Sequence, residues 1–328
     1  MTGRVAMVML VALLAGCSTG AVSPRPSATE PSVAPVASTA PTATAVPSVT
    51  DTPRPTATPA AVLREIDVRD AGWAMTLAGG ALWVQVDPPT DAIVRIDVAS
   101  GAVVPAIAGG HRARAGAEGL WAVGDGFLIR VDPATGREIG RAEVQGAFAL
   151  HDGFVWVLDD DGIHRVDPAT GKVTHTINRD PAVCEDTKDL AIGFDAAWIA
   201  CKGGFVDRVD LAEGSVTEIA TARGSHTLLI TEDAVWVTNY EAGSTSRIDP
   251  ATNAVRTIHG VGSGIGITEG GGLVWVATNS QIVGLRPDGD EAQRISVPGE
   301  RFWYDLVWTE EGIWGSTAGA AVYLIDVP

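Results

Sequence analysis

Seven tryptophans recur at nearly constant intervals: Trp83, Trp121, Trp156, Trp198, Trp236, Trp275 and Trp314, spaced by 38, 35, 42, 38, 39 and 39 residues. A fixed period of this length marks a repeat architecture in which each unit is one supersecondary element. Each tryptophan sits in a short apolar run rich in β-branched residues, such as Leu82-Trp83-Val84, Val155-Trp156-Val157 and Val235-Trp236-Val237. Such runs predict strands. About ten residues on, a second strand ends in Arg-x-Asp: Arg95/Asp97, Arg130/Asp132, Arg165/Asp167, Arg208/Asp210 and Arg247/Asp249. Three of these lead into Asp-Pro-Ala-Thr-Gly or Asp-Pro-Ala-Thr-Asn, at 132–136, 167–171 and 249–253. This is turn chemistry: Asp accepts backbone N–H bonds, Pro presets φ, and Gly or Asn takes the left-handed position.

Four strands and their turns fill one period, and no segment reads as an amphipathic helix. Radial repetition of four-stranded units of about 40 residues predicts an all-β, seven-bladed β-propeller. Naming the strands of a unit a to d leaves the last one short: Tyr304–Thr309, Gly312–Ser316 and Ala321–Asp326 supply only a, b and c. An unassigned strand, Leu63–Val68, precedes the first unit. The N-terminal strand is therefore expected to complete blade seven and remove an open edge.

The propeller is expected to span 61–328. Residues 1–17 read as a signal peptide, with Arg4, an apolar run from Val5 to Leu14, and then Leu14-Ala15-Gly16-Cys17. That run is too short to span a bilayer, which takes about 20 residues. The quartet resembles a bacterial lipobox, which implies lipidation of Cys17. Residues 18–60 read as a disordered tether: from 21 to 60, Pro, Ala, Thr and Ser fill 31 of 40 positions. The expected location is extracytoplasmic and lipid-anchored, with membrane contact through the lipid alone. The net charge of −17 falls entirely on the propeller, and it argues against nucleic acid as a partner. A monomer is expected.

Trp236-Val237-Thr238-Asn239, Trp275-Val276-Ala277-Thr278-Asn279 and the Asp-Pro-Ala-Thr-Gly turns make the chain similar to the YVTN and streptogramin-lyase-like repeat family of secreted propellers. The resemblance covers 61–328 and implies the same fold. Its function is open, because such propellers host both enzymes and binding scaffolds.

Residues repeated in every blade maintain the blade, so function should lie in departures from the repeat. The start of strand a faces the channel mouth, and there the departures are Trp73, His111, Arg112, Arg114, Lys188, Asp189, His226, Tyr304 and Asp305. Asn239, Tyr240 and Glu241 join them from a b-to-c loop, and Trp303 from the neighbouring start of strand a. Together these form the candidate ligand-binding set. The basic members suit an anionic or polar ligand. Asp159, Asp160 and Asp161 offer carboxylates, but a hairpin turn explains them equally well, and no metal site is assigned. Cys184 and Cys201 lie in loops on the same face, and an exported chain meets oxidising conditions, so a disulfide is expected.

In streptogramin lyases, as the resemblance implies, a strand-a His acts as base and a Glu three residues after the blade tryptophan helps to hold Mg²⁺. His226 and His111 are the candidate bases, but Asn239 and Gly124 occupy the carboxylate place. Three functions remain open. One is a binder of a small molecule or envelope protein without cofactor. Another is a lyase- or hydrolase-like enzyme, with Mg²⁺ or Ca²⁺ only in that case. The last is a purely structural module.

Overall fold

The computed structural model describes residues 54–88, 90–124, 126–178, 184, 186–299 and 302–328. The expected signal segment with Cys17, and the expected tether as far as residue 53, lie outside the described residues. The described residues form one compact unit. The described residues form strands and turns without an α-helix, so no helix among them is long and apolar enough to cross a membrane. Seven sheets follow one another, each ordered a-b-c-d and antiparallel within its four core strands. Blade one, for example, comprises Gly72–Ala78, Ala81–Val86, Ala92–Asp97 and Val103–Ala108. The protein is a seven-bladed β-propeller.

The repeated tryptophans explain why the blades stack. Each lies on strand b, at most 7% exposed, and packs into the cluster formed with the following blade. Trp83 meets Ala113, Leu120 and Ile129 of blade two, and Trp314 meets Met75, Leu82 and Val84 of blade one. Seven such clusters form the core. Truncating one of these rings to Ala would cost about 3–5 kcal/mol.

The Arg-x-Asp pair has two separate duties. The Asp caps its own turn: Asp132 accepts from Ala134 N at 2.9 Å and Asp249 from Ala251 N at 2.8 Å. Gly136, Gly171 and Asn253 take the left-handed φ that these turns require. The Arg reaches the turn of the next blade in four of the five, while Arg165 instead donates to Thr174 Oγ1 of its own blade at 3.1 Å. Arg95 and Arg130 donate to the carbonyls of Pro133 and Pro168, both at 3.2 Å, and Arg208 donates to Asn253 Oδ1 at 2.9 Å. Each clasp adds about 0.5–1.5 kcal/mol to a blade interface already sealed by tryptophan.

Blade seven closes as the strand count required. Val62–Asp67 pairs antiparallel with Ala321–Ile325, the strand c of that blade. The structured chain begins before residue 61, however. Thr58–Pro59 adds a short fifth strand to blade six, parallel to Glu291–Ser296, while Ala60 is buried and Arg54 meets Glu291 at 3.2 Å. The end of the Pro-rich segment thus belongs to the propeller. Pro59 lies on the sheet edge, where its missing N–H leaves no ladder bond unmade. Across the ring, Cys184 and Cys201 are joined by a disulfide whose Cα atoms are 5.6 Å apart.

Candidate functional site

The strand-a starts are irregular in a consistent way. Pairing with strand b slips between Gly72 and Met75, His111 and Ala113, Thr187 and Asp189, Ser225 and Leu228, and Trp303 and Asp305. These five bulges, in blades one, two, four, five and seven, release one or two residues from the pleat and re-aim them. The released residues are Trp73, Arg112, Lys188, His226 and Tyr304, with Ala74 and Thr227. Arg112 adopts a φ of 41°, unusual for a side chain of this size.

All of these bulges but that of blade four present their released residues to a cavity of about 610 Å³ at the channel mouth, lined by strand a of all seven blades. Trp73, Arg112, Arg114, Asp189, His226, Tyr304 and Asp305 all line it. On one wall Trp73 and Tyr304 stack at 4.1 Å with an interplanar angle of 18°. Phe302 extends this edge-on to Tyr304 at 5.0 Å and towards Tyr240 at 6.2 Å. Phe302 was absent from the sequence-derived set because it lies in a d-to-a loop, outside the strand columns. Its position just ahead of Trp303 and Tyr304 was the available signal.

On the other side lies an ionic group. Asp189 is fully buried, and its Oδ1 accepts from Arg112 Nη1 at 2.6 Å and from Arg114 Nη2 at 2.5 Å. Its other oxygen accepts from the backbone N–H of Leu228, one blade on, at 3.0 Å. Burial alone would raise this carboxyl, but the two guanidiniums and the backbone donors outweigh it and hold it below the ordinary value. Asp305 plays the corresponding backbone role between blades seven and one, accepting from Met75 N at 2.7 Å and from Leu306 N at 2.9 Å. It makes no ion pair with the arginines among the described residues. Burial pushes it up to about 6. His226 is pushed down to about 4, first by burial and further by Arg112 and Lys188, against the opposing pull of Asp189. Its Nδ1 meets Thr227 Oγ1 at 3.1 Å.

Several expected members belong elsewhere. Trp303 is fully buried in the cluster between blades six and seven, because the bulge turns Tyr304 rather than Trp303 to the mouth. Asn239 is also fully buried, where its amide meets Ala222 O and the Ser244 and Ser246 hydroxyls inside blade five. Glu241 faces Arg223 at 3.5 Å and Lys202 at 4.0 Å on the surface. Tyr240 lies outside the cavity and is tied to it only through Phe302. His111 and Lys188 line a neighbouring open cleft of about 1250 Å³, which reaches Asp159, Asp160 and Asp161, and Lys188 pairs there with Asp186 at 2.5 Å. Arg112 lines both spaces. Asp159 is engaged as a turn cap, accepting from Asp161 N at 2.9 Å and meeting His164 Nε2 at 2.8 Å. Among the described residues the one grouping of metal-type ligands is Cys184, Cys201 and Asp207, and there the two thiols are already bonded to each other.

No family model matches the chain, and no curated protein matches it by sequence. Solved structures do. Virginiamycin B lyase from Staphylococcus aureus superposes with a TM-score of 0.65 at 14% identity, over 81% of this chain and 99% of the enzyme. A catalytically inactive variant of that lyase, solved with quinupristin, gives 0.64. BamB from Moraxella catarrhalis gives 0.52 at 14% identity, over 83% of this chain and 99% of its own. The likeness is one of fold.

Proposed function

We propose that the chain is a non-catalytic, extracytoplasmic binding propeller, tethered to the membrane through a lipid on Cys17, that takes a small ligand or protein partner at its loop-rich face. One observation carries the binding reading: four independent bulges, in blades one, two, five and seven, deliver aromatic, cationic and imidazole side chains into one cavity. Strand irregularities repeated at one level, each exposing a chemically distinct side chain, are devices for a site rather than for packing. The lyase-like alternative lacks support in the same residues. A base near pKa 4 is weak at neutral pH, and among the described residues no carboxylate is hydrogen-bonded to His226.

A thermal-shift screen of the full chain against metabolite mixtures tests this reading. Binding at the mouth gives a stabilisation that His226→Ala reduces by half or more; a library that produces no shift rejects it. The anchor has a separate test. Cys17→Ala should move the protein from the membrane fraction to the soluble one, and unchanged fractionation rejects lipidation.

A further inference from the structure

The cavity contains a charge mismatch. Arg112 and Arg114 converge on a single carboxylate oxygen, Asp189 Oδ1. Lys188 is engaged with Asp186. Asp305 spends both oxygens on backbone N–H groups rather than on a guanidinium. Two cations therefore share one direct counter-ion, and Arg114 Nε is shielded from solvent with no acceptor among the described residues. Leaving a charged donor unmet in such a place is costly. The second arginine has about 30% of its side chain open, as has the first, so both can still meet a ligand.

The Trp73–Tyr304 stack supplies the complementary half. Trp73 is 38% exposed and stands on the same cavity wall as Tyr304. An exposed aromatic face with a polar handle nearby accepts flat apolar surfaces, either the C–H face of a saccharide or another ring.

We propose that this cavity holds a small monoanion in which a carboxylate is attached to a flat-faced ring, the carboxylate bound by Arg112 and Arg114 and the ring laid against Trp73 and Tyr304. This rests on the reading of the cavity as a ligand site and specifies its chemistry. A carboxylate matches the planar guanidinium fork. A dianion would bring a second negative charge up against both Asp189 and Asp305.

Isothermal titration of the full chain tests this with D-glucuronate and 4-hydroxyphenylacetate as acids, glucose and 4-hydroxyphenethyl alcohol as their neutral counterparts, and inorganic phosphate. At least one acid should bind about tenfold or more tightly than its counterpart, as expected from one charge-assisted hydrogen bond, and phosphate should bind more weakly than that acid. Which acid binds separates a saccharide from an aromatic ring. Trp73→Ala, at an exposed site, and Arg114→Gln should each weaken that acid about tenfold. If Arg114→Gln does not fold, a loss of acid affinity with rising salt that the neutral counterpart does not share reports the same contact. Equal binding of acid and neutral probe, no binding of either acid, tighter binding of phosphate, or acid binding indifferent to Trp73→Ala would overturn the proposal. Neutral probes whose binding needs Trp73 would still leave the cavity a ligand site, whereas an empty metabolite screen would remove both readings.

Discussion

Asp189 and Asp305 occupy the same place in two blades, yet their protonation behaviour is opposed. Both accept from the backbone of the following blade, but only Asp189 has arginines on it. Its folded value is lowered, so the stability it contributes is present above the ordinary carboxylate range and is lost as pH falls. Asp305 is raised to about 6 from 3.8, so the folded state holds a proton that the unfolded state has released. Its contribution is complete below pH 3.8 and is lost as pH rises towards 6. The Asp305 carboxyl carbon, followed by NMR, should titrate with a midpoint near 6; a midpoint near 4 would show that the carboxyl is well solvated. The columns counted back from each tryptophan identified both aspartates as mouth residues. That each reaches sideways to a neighbouring amide was not legible, because it depends on the gap between blades.

At the scale of the strand, periodicity located the blades but not the bulges. A bulge is a mismatch between two strands, invisible to a pattern read along one of them. This is why Trp303 was expected at the mouth and Tyr304 took the place beside Trp73 alone. The two cysteines show the opposite case, since the loop that carries Cys184 and the end of the strand that carries Cys201 share a face by topology. Their bond closes a loop of 17 residues at the edge of the neighbouring cleft. By the chain-entropy model it contributes roughly 3 kcal/mol. Cys184→Ala/Cys201→Ala should therefore lose about that much in urea denaturation, and reductant should shift the wild type but not the double variant. Equal stability of the two proteins would show that the loop is ordered without the bond.

For the whole molecule, the tryptophan spacing together with the strand count in each period pointed to class, blade number and closure, since the last unit lacks one strand and Leu63–Val68 supplies a spare one. The parallel strand Thr58–Pro59 escaped notice because Pro, Thr and Ala provide no alternation to read, and its register comes from blade six. That strand has a mechanical consequence. The stretch from Arg54 to Asp67 first lies along the edge of blade six and then becomes the outer strand of blade seven. Any load pulling on the chain ahead of residue 54 is therefore delivered to the seam of the ring. It meets the Arg54–Glu291 contact and the Thr58–Pro59 pairing before the closing strand itself is strained. The propeller thus carries a strain relief just ahead of its latch.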